Sequence, residues 1–154
     1  MTTFNRRRLL QTTALAVAGA TLGSTVQAHA QSRILGTVID YSAGVPSGAA
    51  VKAAGHMGAV RYVSQPRPGA EWMKGKPVTI GETQDFAANG LATASVYQFG
   101  RAENADWKEG AAGVAKHAPQ AIRLHQAAGG PNGRPVYIAI DDNPTRDQYV
   151  NQIR

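Results

Sequence analysis

Apolar and polar positions follow two rhythms along this chain. Near-continuous apolar runs rich in β-branched residues stand at 34–41, 59–63, 91–98 and 135–141. Runs of this length, bounded by turn formers, read as buried strands. Between them the pattern is helical. Pro46 and Ser47 open a short Ala-rich helix that ends at Gly55, a natural residue for the position after a helix. Thr79 and Glu82 have capping-box spacing, in which the hydroxyl and the carboxylate each satisfy a free amide of the first turn. Asn89-Gly90 ends that second helix. A longer stretch, about 104–128, is interrupted by Gly110, Gly113 and Pro119, which predicts two pieces or a kink. The Gly129-Gly130-Pro131-Asn132-Gly133 cluster reads as a turn, and Pro144 opens a last helix towards Arg154. Residues 64–77 form a Pro/Gly-rich loop that is long for a connection of this kind.

The order is therefore β-α-β-α-β-α-β-(α). Apolar strands separated by helices predict an α/β fold with a parallel sheet. No G-x-G-x-x-G follows the first strand and no P-loop is present, so the nucleotide-binding form of this topology is unsupported.

The first thirty residues read as an export address. Asn5-Arg6-Arg7-Arg8-Leu9-Leu10-Gln11 is followed by a weakly apolar run over 12–26 and by Ala28-His29-Ala30, a small-x-small cleavage site. The run is too short and too diluted by Thr, Gly and Ser to span a bilayer, so no stable membrane span is expected. The paired arginines before two leucines resemble the twin-arginine motif, with Leu9 where an aromatic is usual. The mature chain is expected to begin near Gln31, outside the cytoplasm, and the export machinery is one expected partner.

Composition narrows the chemistry. The net charge of +6 owes half its value to Arg6, Arg7 and Arg8, and the remainder is spread thinly, so nucleic-acid binding is not indicated. There is no Cys, which excludes disulfides, thiolate metal sites and Cys nucleophiles. His56, His117 and His125 have no i, i+4 pairing and no carboxylate at ligand spacing, so neither metal nor other cofactor is expected. Ser42 and Ser64 lack a nucleophile-elbow context.

Each strand turns polar at its C-terminal end: Asp40-Tyr41, Arg61-Tyr62, Tyr97-Gln98 and Asp141-Asp142. In β/α barrels the loops at that rim build the site. Asp40, Asp141 and Asp142 are the candidate acids, with Asp141 foremost because it ends the most apolar strand. Tyr41, Arg61, Tyr62, Tyr97 and Gln98 are candidate substrate-binding groups. Asp40 and Asp142 also suit turn or cap positions, Arg61 suits neutralisation of Asp40 or Asp141, and Glu82 suits the capping box.

Several blocks stand in a familiar order. Ile39-Asp40-Tyr41-Ser42-Ala43-Gly44, Pro46-Ser47, Ala53-Ala54-Gly55 and Val60-Arg61-Tyr62-Val63-Ser64 come first. Thr79 to Glu82, Asn89-Gly90-Leu91 and Pro135-Val136-Tyr137-Ile138-Ala139-Ile140-Asp141 follow. Over residues 33–142 the chain resembles the glycoside-hydrolase-like domain of twin-arginine-exported actinobacterial proteins. That family is similar to the family-25 lysozymes and folds as a TIM-type barrel. The resemblance implies an exported protein that acts on or binds cell-wall polysaccharide of the peptidoglycan type, with Asp40 and Asp141 as rim acids and Arg61 and Tyr62 beside them. The chain departs from the pattern at Asn143, where the lysozymes carry a carboxylate, and at Gln98, often acidic in the exported family.

The resemblance implies the N-terminal half of a (β/α)8 barrel, since a whole one needs roughly 200 residues or more and only four strands are read here. Truncation after strand four is therefore an expectation. So is self-association or aggregation through the open half-barrel, where Val38, Val60, Val96 and Ile138 or their alternates would meet water. Three functional readings stand: a lysozyme-like glycosidase, a non-catalytic glycan-binding module, and an inactive fragment. Glycoside hydrolysis needs two carboxyl groups, supplied by Asp40 and Asp141 or through water activated by Asp142. The missing family acid favours binding over turnover.

Overall fold

The computed structural model describes residues 34–153, and the export segment read over 1–30 lies outside them. The chain runs β1 (Ile39–Asp40), α1 (Gly48–Ala53), β2 (Gly58–Tyr62), α2 (Ile80–Ala88), β3 (Ala92–Tyr97), α3 (Gly110–Ala127), β4 (Val136–Ile138) and α4 (Arg146–Gln148). Two 3-10 turns, Ala102–Asn104 and Asp106–Glu109, precede α3, and a π-helical turn, Tyr149–Ile153, follows α4. The strands form one parallel sheet in the order β1-β2-β3-β4, the expected α/β arrangement.

The outer strands are shorter than the apolar runs that encode them, because a ladder extends only as far as its partner. Ile39 pairs with Ala59, and β2 begins at Gly58, so the last backbone tie towards the chain start is the Met57 amide on the Thr37 carbonyl, at 2.8 Å. Ile34 and Leu35 are consequently 83 % exposed. At the other edge Ile138 pairs with Tyr97, the last residue of β3, and beyond it only the Ala139 amide reaches the Tyr97 carbonyl, at 3.0 Å.

Local chemistry sets the helix boundaries. The Ser47 hydroxyl accepts from the Ala50 amide at 3.2 Å and caps α1, and Gly55, with φ +84°, turns the chain out of it. The expected interruption before α3 falls at Gly110, whose φ of +56° separates the 3-10 turn from the helix. From there α3 runs unbroken through Gly113 and through Pro119, which sits on an exposed face. The last helix begins two residues later than Pro144 predicts, at Arg146, behind an N-cap Thr145. Thr145 closes a capping box with Gln148: the Gln148 amide donates to Thr145 Oγ1 (3.2 Å) and the Thr145 amide to Gln148 Oε1 (2.9 Å).

The pleat sends alternate strand residues to opposite faces. Ile39, Ala59, Arg61, Ser95, Tyr97, Val136 and Ile138 share one face by register, and all three long helical segments cover it. Val51 of α1 and Phe86 of α2 pack on Ala59 and Leu91. Ala121 and Leu124 of α3 pack on Val63, Val78, Tyr97 and Val136. Asp40, Val60, Tyr62, Ala94, Val96 and Tyr137 occupy the opposite face, which no helix among the described residues covers. The expectation for the uncovered residues needs correction at two of them. Ile138 meets water as expected, at 55 % exposure, but it belongs to the helical face, because it pairs with Tyr97. Val96 is only 7 % exposed, held in register between Tyr62 and Tyr137.

The long loop after β2 is tied back across the strand ends. Its Gly75 amide donates to the Ser42 carbonyl (2.8 Å), and the Val78 amide to the Tyr62 carbonyl (2.9 Å). The loop thereby lies beside the C-terminal ends of β1, β2 and β3.

Candidate functional site at the strand ends

Because strand side chains alternate, each polar pair at a strand end is split. One member goes to the uncovered face and the other to the helices. The uncovered face receives Asp40, Tyr62, Gln98 and Asp141, and the structure joins them in two hydrogen-bonded couples. The Tyr62 hydroxyl donates to Asp40 Oδ2 at 2.8 Å, and Gln98 Nε2 donates to Asp141 Oδ2.

Lys76, from the long loop, lies between the couples. Its Nζ donates to the Gln98 carbonyl at 2.9 Å and sits 3.7 Å from the centre of the Tyr62 ring, a cation–π contact. Burial lowers the Lys76 pKa to about 8, and the Arg67 charge adds to that, while Asp40, Asp106 and Asp141 oppose it. Burial also pushes the Tyr62 hydroxyl up, with the hydrogen bond to Asp40 and the charges of Asp40 and Asp141 acting in the same direction. Tyr62 is therefore a stable proton donor to Asp40 at neutral pH. Among the described residues neither Asp40 nor Asp141 forms a salt bridge, so both carboxylates keep lone pairs for other hydroxyl or amide donors.

The other four expected site residues turn to the helical side. Arg61 is fully buried, so the expectations that it touches substrate or neutralises Asp40 or Asp141 are corrected. Its Nε donates to Glu82, its Nη1 to the Tyr41 carbonyl and its Nη2 to the Gly75 carbonyl at 2.6 Å. Tyr41 stacks under the guanidinium, 3.6 Å from ring centre to Cζ, and donates its hydroxyl to Glu82 at 2.6 Å. Tyr97 is also enclosed: its hydroxyl donates to Gln120 Oε1 (2.7 Å) and meets His117 Nδ1 (2.8 Å), and burial raises its pKa to about 12. Asp142 is exposed and lies 3.9 Å from Lys108 Nζ, away from the Asp40–Asp141 row.

The capping-box expectation at Thr79 is half met. Thr79 Oγ1 accepts from the Glu82 amide at 3.3 Å, but the Glu82 carboxylate leaves its own helix for Arg61 and Tyr41. Arg61 thus buckles the β1 end, the β2 end, α2 and the Gly75 loop together, and places Lys76, the next residue, over the rim. Sequence reading missed Lys76. The available signal was the unusual length of the loop that carries it. Among the described residues no three His, Asp or Glu side chains are grouped to hold a metal ion, and no helix is long and apolar enough to cross a membrane.

Residues 49–154 match the family described as Rv2525c-like, glycoside hydrolase-like domain. A curated relative from Mycobacterium tuberculosis (strain ATCC 25618 / H37Rv), named "Putative peptidoglycan hydrolase Rv2525c", is 47 % identical over 135 residues, which are 88 % of this chain and 56 % of the relative. Two solved structures of the Mycobacterium tuberculosis Tat-secreted protein Rv2525c are similar to this chain, one in complex with L-tartrate and one with HEPES. Each has a TM-score of 0.76 at 50 % identity, covering 78 % of this chain and 59 % of that one. The chain therefore spans less than two thirds of the length of the relatives it matches.

Proposed function

The chain belongs to the Rv2525c-like, glycoside-hydrolase-like family, and from that premise we propose that it is an exported protein that binds cell-wall glycan of the peptidoglycan type at the Asp40–Asp141 row. The four βα units are, on this reading, the first half of a (β/α)8 barrel, and the uncovered face is the barrel's inner side. Tat secretion of the relative supports twin-arginine export of this chain, with residues 1–30 as the signal.

The observation that carries the reading is the pair of couples, Tyr62–Asp40 and Gln98–Asp141, on one face with Lys76 between them. Two carboxylates outside any salt bridge, with an amide and a phenol beside them in one open row, offer hydrogen-bonding groups to sugar hydroxyls. The Tyr62 ring adds an apolar surface for a pyranose face. Arg61, Tyr41 and Tyr97 act beneath the row, holding strand ends and loop in place.

Hydrolysis is the second reading, favoured by the presence of two carboxylates on the same face and by the relative's name. Asp141 would then protonate the leaving oxygen or stabilise the developing charge, and Asp40 would act as the base, the two-carboxylate arrangement that glycosidases use. The carboxylate that family-25 lysozymes carry two residues beyond Asp141 is Asn143 here, so binding with weak or absent turnover is the expected behaviour.

The test uses purified cell wall and soluble wall fragments. Co-sedimentation and calorimetry should show binding that Asp40→Asn and Asp141→Asn both weaken, with little release of reducing ends. Robust release abolished by Asp141→Asn would establish the hydrolase reading instead, and unchanged binding in both variants would place the site elsewhere.

A further inference from the structure

Next to the acidic row, the outer side of the long loop forms an open groove of about 480 Å³ lined by Arg67, Lys74, Lys76, Glu71, Met73 and Phe99, among others. Its charge is uneven: three cations face one acid. Glu71 is already committed to its own loop, where its carboxylate accepts from the Gly69 amide at 3.0 Å. Among the described residues none of the three cations has a carboxylate within salt-bridge distance. Arg67 Nη1 approaches the Met73 sulfur at 3.8 Å.

Lys76 belongs to both places. It lines the groove and also donates to the Gln98 carbonyl at the row. An ammonium with three donors and one such partner, 8 % exposed, is a buried cation with spare hydrogen-bonding capacity. Three cations outside any salt bridge line one groove, the Arg67 charge already disfavours that of Lys76, and an anion bound there would relieve that repulsion.

We propose that this groove is an anion subsite, and that Arg67, Lys74 and Lys76 hold a carboxylate attached to the saccharide that lies along the Asp40–Asp141 row. The chemistry points to a single-charged, planar anion. Arg67 offers a fork that matches a carboxylate in two parallel hydrogen bonds, while Glu71 and the nearby Asp40 and Asp141 oppose a second negative charge. Phe99 supplies an apolar wall for the carbon that bears the carboxylate. The ligand class is therefore an acidic saccharide, whose neutral sugar faces occupy the row and whose carboxylate occupies the groove. The inference rests on the glycan reading above and specifies which glycans are preferred.

The experiment compares two tetrasaccharides by calorimetry with the full chain. One carries lactyl-ether carboxylates, and the other is the same molecule with each carboxylate converted to a carboxamide. The carboxylate form should bind roughly tenfold more tightly, the size expected of a few partly exposed charge pairs, and the preference should shrink with added salt. The Arg67→Gln/Lys74→Gln double variant, which leaves Lys76 and the row in place, should lose the preference and bind the carboxamide as before. A preference that persists in the double variant, or equal binding of the two tetrasaccharides by the unaltered chain, would overturn the subsite.

Lactate alone, followed by amide chemical shifts, separates this inference from the one beneath it. Shifts confined to residues 65–76 and 99, with neither tetrasaccharide bound, would keep the anion subsite and reject the glycan reading. No shifts there would reject the subsite whatever the sugars do.

Discussion

Glu82, in the first turn of α2, gives its carboxylate to the guanidinium of Arg61 in β2, and both side chains are almost wholly enclosed, at 4 % and 1 % exposure. The pair spans strand and helix, and the guanidinium goes on to bind the carbonyls of Tyr41 and Gly75. Three loop and strand segments around the row are therefore fixed by one side chain.

Removing either partner should be costly, because the other remains as a buried, uncompensated charge. Arg61→Met and Glu82→Ala are each expected to lower unfolding free energy by about 3–5 kcal/mol, and Arg61→Met/Glu82→Leu by less than the worse single variant. Denaturant titration of the three variants checks this. Losses below about 1 kcal/mol in the single variants would show that the pair does not organise the fold.

How legible this was in sequence depends on the pleat. Strand ends were identifiable from the shift out of apolar character, and the parallel α/β order followed from the alternation of apolar runs with helical segments. Which member of each end pair faces the row was not legible. β2 carries small or apolar residues on both faces at Ala59 and Val60, so a one-residue change of phase leaves the pattern looking the same. That ambiguity grouped Arg61 and Tyr97 with Tyr62 and Gln98. Glu82 was read as a cap because the spacing from Thr79 is local, whereas its partner Arg61 is twenty-one residues away. Lys76 stayed hidden for the same reason: it reaches the row only because the loop folds back onto the strand ends.

The Lys76 pKa gives a pH signature. In the unfolded chain an unperturbed lysine titrates near 10.4, whereas burial brings Lys76 to about 8 in the fold. Between those values the unfolded state holds a proton that the folded state has released, so stability rises with pH there and falls as pH drops through 8. The gain should be roughly 1–2 kcal/mol after solvent screening at the rim. Tyr41 and Tyr62 act oppositely, since their raised pKa values favour the protonated fold and their contribution is lost above pH 10. Chemical denaturation at pH 7.5 and 9.5 should therefore show a rise in the unaltered chain that Lys76→Met lacks. Equal slopes in both would contradict the burial of this ammonium.

Export should depend on the paired arginines. Arg6→Lys/Arg7→Lys keeps the charge of the leader but removes the guanidinium pair. Fractionation blots should then show the chain retained inside the cell, uncleaved at Ala30–Gln31. Undiminished export would leave a general secretory signal.

The uncovered face makes a prediction about association. Val38 and Tyr137 are 55 % and 58 % exposed there, and among the described residues no helix lies above the Val60–Ala94 pair. Among the described residues no further strand flanks β1 or β4, and Ile34 and Leu35, just before β1, are 83 % exposed. Each large apolar side chain left in water forfeits about 1.5–3 kcal/mol, so a few of them rival the net stability of roughly 5–15 kcal/mol that a domain has. Open parallel edges also offer unpaired amides and carbonyls to another chain. The purified chain is accordingly expected to aggregate or, less often, to pair face to face with a second copy. Size-exclusion chromatography with light scattering reads this directly. Tyr137→Lys, which puts a charge on both the face and the β4 edge, should shift the population towards monomer. A soluble monomer of the unaltered chain with one sharp, cooperative melt would show that the uncovered face tolerates water, and would remove the reason for expecting association.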